Sequence, residues 1–197
     1  EWGRLKMQAS VLGYFVHEKV ERFEARPDKA VATPAFFGSF KVLKNHDLSV
    51  RAFYKRMFRM PTFNDLYYTD MGNAFLKPEY AEQFNVGLKY TRNFEKSPFM
   101  RMLDVSVDAY YNKITDKIIA YPKGQQFRWT MLNLGEVEIK GVDAVLNALF
   151  TLGKLEVTTK FQYTYQKAID ITDPADTYYR DQIPYIPWHS GSAILAL

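Results

Sequence analysis

The chain has 197 residues, 47% of them apolar and 16% aromatic, which is enough for a sizeable core and too greasy for a disordered segment. It holds no cysteine, excluding a disulfide framework or a thiolate metal site, and its net charge of +4 is spread rather than clustered, which argues against nucleic acid as a partner. No run of about 18 apolar residues occurs, so an ordinary transmembrane helix is excluded, whereas strands that show every second side chain to lipid keep a low mean hydropathy.

Glu1-Trp2-Gly3 leads straight into a first strand with no visible signal peptide: Leu5, Met7, Ala9 and Val11 alternate with Lys6, Gln8 and Ser10. A long charged connection, Lys19 to Thr33, precedes a second strand over Phe36 to Leu43 and a tight turn at Asn45-His46-Asp47. The third strand sets Leu48, Val50, Ala52 and Tyr54 against Ser49, Arg51, Phe53 and Lys55. Phe58 to Glu79 is the next long loop, and the fourth strand then opposes Phe84, Val86, Leu88 and Tyr90 to Gln83, Asn85, Gly87 and Lys89. After a short turn between Asn93 and Pro98, a fifth strand carries Leu103, Val105, Val107, Ala109 and Tyr111 on one face.

Ala120 to Arg128 is expected to be a third long loop. In the sixth strand Val137 and Ile139 are apolar at odd positions, whereas Val142, Ala144, Leu146, Ala148 and Phe150 are apolar at even ones. With Gly141 at the break, this parity change predicts a β-bulge near Lys140-Gly141. A tight turn at Thr151-Leu152-Gly153 leads to a seventh strand over Leu155 to Tyr165, and the long Ala168 to Trp188 loop to an eighth that starts near His189 and ends at Leu197 in mid-pattern. Both termini fall inside the strand rhythm, so the chain is expected to be one piece, 1–197, of a single barrel domain.

Short and long connections thus alternate, and several strands reach the 9–11 residues that a tilted strand needs to cross hydrocarbon. The fold class expected is all-β: an antiparallel up-and-down transmembrane barrel segment of about eight strands, with short turns at one end and long loops at the other. The polar face carries Arg51, Lys55, Lys89, Asp108, Glu156 and Lys160, suited to a wet bore. Aromatics near strand ends (Tyr14, Phe15, Phe36, Phe37, Tyr54, Tyr90, Tyr110, Tyr111, Trp129, Phe150, Tyr163 and Tyr165) suit interfacial girdles. Two other readings stay open at this level. One is a complete eight-stranded outer-membrane barrel with a structural or adhesive role; the other is a soluble β-sandwich or lipocalin-like binding domain with its apolar face inward.

Phe58-Arg59-Met60-Pro61-Thr62-Phe63-Asn64-Asp65-Leu66-Tyr67, then Gly72-Asn73-Ala74-Phe75-Leu76-Lys77-Pro78-Glu79, then Asn85-Val86-Gly87-Leu88-Lys89-Tyr90 follow one another in order. Tyr110 to Ile119 and Asn133-Leu134-Gly135 through Gly141-Val142-Asp143 come next. This ordered set resembles the TonB-dependent outer-membrane receptors. Tyr178 to Pro187, followed by His189, is similar to a stretch of the vitamin B12 receptors of Bacteroidetes-type bacteria. The resemblance implies a barrel of about 22 strands around a plug, in the outer membrane of a Gram-negative bacterium among lipid and lipopolysaccharide. It also implies energised uptake of a scarce small-molecule nutrient, a cobalamin or an iron chelate, through the TonB complex. Plug and remaining strands are missing from these residues, and no cofactor is implied.

Arg59, Asn64, Asp65, Tyr67 and Tyr68 are the candidates to line a ligand vestibule, since rings of charged and hydrogen-bonding groups select solutes at a pore mouth. The competing reading is structural, with Asp65 pairing to Arg59 to close the loop. Asp170, Asp173, Asp176 and Asp181 form a weak calcium candidate without EF-hand spacing. His17, His46 and His189 are scattered, and no nucleophile–base or phosphate-loop pattern occurs, so no metal site or catalytic residue is assigned and an enzyme is not expected. Unpaired first and last strands of such a segment are expected to self-associate.

Overall fold

In a computed structural model of the chain, residues 2–19, 28–43, 47–123 and 128–197 are described. After a 3-10 turn at Trp2–Arg4 come β1 (Leu5–Val16), β2 (Lys29–Lys41), β3 (Asp47–Arg59), a short α1 (Phe63–Tyr67), β4 (Glu79–Asn93), β5 (Met100–Lys123), β6 (Arg128–Leu152), β7 (Leu155–Asp170) and β8 (His189–Ala196). All eight strands lie in one antiparallel sheet in sequence order, with β1 and β8 as its open edges. The expected up-and-down topology is the observed one.

Two lengths differ from expectation. β2 starts at Lys29, four residues before the end of the expected Lys19 to Thr33 loop, and pairs with β1 as far as Val16. Its Pro34 has no N–H to donate, and the β2–β3 ladder accordingly begins only at Ala35 opposite Lys55. Ala120 to Arg128 is not a long loop: β5 and β6 stay paired up to Lys123 opposite Arg128, making a tall hairpin. Residues 20–27, 44–46 (with the expected turn residues Asn45 and His46) and 124–127 lie outside the described residues.

The bulge expected at Lys140-Gly141 is absent. Tyr111 faces Lys140 and Tyr110 faces Gly141 without a slip, and β6 runs equally regularly past β7 from Val137 to Leu152; the register shift in β5–β6 lies between Met100 and Met102 instead. The parity of apolar residues changes because the surroundings change. Below Gly141 one face carries the row Tyr54, Phe84, Tyr111 and the layers Ala52–Val86–Ala109–Val142 and Val50–Leu88–Val107–Ala144. Above it the same face turns charged, with Arg56, Glu82, Lys113 and Glu138 opposite one another. The other face switches in the opposite sense: Ala81, Ile114, Val137, Ile139, Ala168 and Ile183 bury each other there.

Which face meets lipid follows from crowding. On a curved sheet, side chains splay on the convex side and crowd on the concave one. The apolar side chains are the splayed ones, with Val86 57% and Phe161 53% exposed, whereas the charged Asp104 and Asp108 keep only 18% and 16% of their side-chain surface. The greasy face is therefore outward and the charged face lines the bore. On β4 the outward apolar run of Phe84, Val86, Leu88 and Tyr90 is bracketed by Glu82 and Arg92. At ~3.3 Å per residue and a tilt of roughly 40°, that bracket spans about 25 Å along the membrane normal, the height of the apolar band of outer-membrane barrels.

Glycine at two positions on the inner face makes room for larger groups. A Cβ at Gly141 would stand 2.3 Å from the Tyr110 ring, and one at Gly87 would strike the Asp108 carboxylate. Both are cradles for a neighbour's side chain, which is why the sheet needs no bulge at Gly141. Phe37 and Tyr110 belong to this inner face and not to a girdle; the outer girdle on the long-loop side is built from two runs of packed rings, Tyr54–Phe84–Tyr111 and Tyr163–His189–Tyr165–Trp188.

Candidate ligand vestibule

The β3–β4 connection is folded onto the β5–β6 hairpin. Thr62 caps α1 through a reciprocal box: its Oγ1 accepts from the Asp65 amide at 3.2 Å, and the Asp65 carboxylate accepts from the Thr62 amide at 2.9 Å. The same carboxylate receives Arg59 Nη2 at 3.0 Å, and the other arm of Arg59 lies 3.5 Å from Glu79. Glu79 then accepts from the Ile118 amide at 3.1 Å, so one chain of charge-assisted bonds runs from β3 through the loop to β5.

The second half of the loop is fastened by two asparagines. Asn73 Nδ2 donates to the Met131 carbonyl at 3.0 Å, and Asn133 accepts from the Lys77 amide at 2.8 Å while donating to the carbonyls of Lys77 and Asp116 at 3.1 and 2.7 Å. Asp116 takes a left-handed φ of 54° there, a conformation Asp tolerates better than most residues. Beneath these bonds Leu66, Leu76 and Ile118 form a small buried core, with Tyr67 and Met131 packed against it.

Of the five candidates from sequence, Arg59 and Asp65 thus bind each other, and Tyr67 leans on the apolar core. Asn64 and Tyr68 are exposed, together with Phe63 and Phe75, which sequence reasoning did not single out. It also missed Glu79, Asn73 and Asn133 as fasteners. They were present in the ordered motifs, whose spacing is now explained: the motif residues converge to hold one loop against one hairpin.

Beside this platform, between the hairpin and the β7–β8 loop, lies a cavity of about 370 Å³ with Tyr121, Leu132 and Pro184 on an apolar side and Asp170, Asp181 and Tyr178 on a polar one. Of the four calcium candidates, Asp170, Asp173 and Asp176 each accept a backbone amide two residues on, from Thr172, Ala175 and Tyr178, as turn-forming aspartates do. Among the described residues no three metal-ligating side chains converge. His17 pairs with Asp28 and His189 with Tyr163.

Below the platform the bore wall is a paired polar network. Arg51 reaches across Gly87 to hold Asp108 with two bonds. Asp104 gathers Thr91 at 2.8 Å, Lys89 at 3.2 Å and Asn147 at 3.2 Å, and Thr164 donates to Asp143 at 2.7 Å. On the outside, beyond the row of Tyr54, Phe84 and Tyr111, Lys113 pairs with Glu136 at 2.9 Å, and Glu138 pairs at 2.8 Å with Lys140, which stands opposite Tyr111 in the belt. The carboxylate beside Lys113 raises that ammonium above its ordinary pKa, and the hydrogen bond from Lys140 lowers Glu138.

A lipid-facing apolar band, a polar bore and long folded loops at one end together define a wall of an outer-membrane β-barrel. Residues 13–197 match the family described as TonB dependent receptor-like, beta-barrel, and the chain belongs to that family, whose place is the outer membrane of Gram-negative bacteria. Among curated proteins it is 34% identical over 99 residues to the "Vitamin B12 transporter BtuB" of Vibrio vulnificus, covering 50% of this chain and 14% of that protein. It is 34% identical over 113 residues to the protein of the same name from Photobacterium profundum, covering 54% of this chain and 16% of the relative. The chain therefore spans only a small part of these relatives. Among solved structures, a "Copper transporter OprC" superposes with a TM-score of 0.54 at 18% identity, covering 86% of this chain and 26% of that one, a likeness of fold.

Proposed function

We propose that the full-length receptor containing this segment captures a scarce nutrient at its outer face and imports it with energy from the TonB complex, and that the nutrient is a cobalamin. The observation that favours a cobalamin is the similarity of about half the chain to two proteins named vitamin B12 transporters. What supports capture at this end is the platform, where a fastened loop presents Asn64, Phe63, Tyr68 and Phe75 to the outside. A rigid support lowers the ordering cost of binding, and aromatic faces with a few hydrogen-bonding groups suit a large, partly apolar ligand. In this reading Arg59, Asp65 and Tyr67 position the vestibule, Asn64 and Tyr68 touch the solute, and a plug domain packs against the Arg51–Asp108 and Asp104 networks of the bore. The activity is transport and not catalysis.

The test is growth of a cobalamin-requiring strain that lacks its own cobalamin receptor, carrying the full-length gene. Growth at trace cobalamin that disappears when TonB is deleted is the expected result. Uptake of iron chelates in place of cobalamin would overturn the choice of solute, and import unchanged without TonB would overturn the energised mechanism.

A further inference from the structure

The bore wall changes character toward its short-turn end. On its inner face Lys6 stands opposite Ser39 and Ser39 opposite Arg51, while Lys41 stands opposite Ser49 and Ser49 opposite Lys89. Arg4, Lys6, Lys41 and Lys89 line a pocket of about 320 Å³ there, and among the described residues Asp47 is the one carboxylate of its lining. Lys41 is answered by Asp47, and Lys89 by Asp104 at 3.2 Å. Lys6 makes no ion pair among the described residues, and the Ser39 and Ser49 hydroxyls, which line the same pocket, make no hydrogen bond to them. Further round the row of Lys6, Arg51 and Asp108 cancel each other, so the uncompensated charge is local to this pocket.

We propose that this pocket is a second solute subsite, at the exit end of the bore, and that it takes an anionic phosphodiester of the transported molecule. The chemistry matches: a single negative charge for the Lys6 ammonium, and further oxygens to accept from the Ser39 and Ser49 hydroxyls. The inference rests on the cobalamin reading, because a cobalamin carries such a monoanionic phosphodiester in the arm that joins its corrin to its base. Position gives the site its use. At the long-loop end the vestibule presents aromatic rings, and Arg59 there is already held by Asp65 and Glu79. The solute thus meets flat apolar contacts first and an unanswered cation last. Short turns mark this second end as periplasmic, so the field of the pocket draws the anionic arm along the bore in the direction of import.

The experiment uses the full-length receptor in the cobalamin-requiring, receptor-deficient strain. It compares the initial uptake of labelled cobalamin with that of labelled cobinamide, the same corrin without the phosphodiester. Lys6→Gln should slow cobalamin uptake about threefold, the scale of one exposed charge pair. Lys6→Glu should slow it about tenfold, because a like charge then faces the ester. Cobinamide uptake should stay unchanged in both variants, as should the Kd for cobalamin at the outer face measured without TonB, and Lys6→Arg should behave as the unaltered receptor. A variant that fails to assemble would lose both solutes and outer-face binding. Ser39→Ala with Ser49→Ala, which removes two donors and no charge, is then read in its place and should slow cobalamin alone. Cobalamin uptake unchanged or faster in Lys6→Glu, or an equal slowing of both solutes, would overturn the proposal; the equal slowing is what a carboxylate of the plug seated in this pocket would give. Import of neither corrin by the unaltered receptor would instead sink the cobalamin reading, and this inference with it.

Discussion

At the scale of single residues, the inner wall is organised around what a glycine permits. Gly141 lies where the Tyr110 ring crosses to the next strand, and any Cβ would be driven into that ring and against the Tyr165 carbonyl. Overpacking of this kind typically costs about 1–3 kcal/mol. Gly141→Val should therefore lower the urea midpoint for unfolding of the full-length barrel from vesicles, followed by the heat-dependent gel shift. Tyr110→Ala in the same chain should recover part of that loss, since it removes the ring atoms the new side chain meets. No recovery would mean that the backbone contact dominates. Arg51 and Asp108 form the complementary case, a half-buried pair bridging over Gly87. Asp108→Asn leaves the guanidinium without its anion and should destabilise by about 1–3 kcal/mol in the same assay.

At the scale of elements, the β3–β4 loop is a folded unit hung on the β5–β6 hairpin, and Glu79 is the link common to both. Glu79→Ala removes the acceptor for the Ile118 amide and one partner of Arg59, yet touches nothing in the membrane band. The expected outcome is faster protease nicking between Phe63 and Leu76 in intact cells, with normal barrel assembly. Lost assembly would show that the loop is part of the folding unit. The strands themselves illustrate what a linear pattern conveys. Period-two alternation located all eight, because only one variable, which face is apolar, was being encoded. The odd-to-even change at Gly141 was legible as an event but ambiguous in cause, since a bulge and a passage from lipid to water produce the same parity change. Register settles the cause, and register depends on partner strands that no single strand reports. The vestibule was half legible for a related reason. The motifs marked which residues matter, whereas their division into fasteners such as Asn133 and exposed groups such as Tyr68 depends on the hairpin folding back over the loop.

At the scale of the whole molecule, the orientation of the sheet governs every functional statement, and it can be tested by a pair of substitutions that differ in depth alone. Val86 and Glu82 lie on the same outward face of β4, two side-chain steps apart, with Val86 inside the apolar band and Glu82 at its charged edge. An arginine at the centre of a barrel's lipid face costs roughly 2–4 kcal/mol, and one near the interface about 0–1. Val86→Arg should therefore depress folding of the full-length receptor into bilayers far more than Glu82→Arg, and the difference should vanish for folding into short-chain detergent micelles, which deform around the charge. The inner face supplies the converse, because Ser106 already lies in the polar bore between Lys89 and Val145. Ser106→Arg there meets water and the acidic Asp104 and Asp108 side chains, and should be nearly neutral. Were the apolar face instead packed inward, Val86→Arg would be the damaging change in micelles as well as in bilayers, and Ser106→Arg the harmless surface change in both. The micelle comparison for Val86→Arg therefore separates a lipid-facing wall from a buried core.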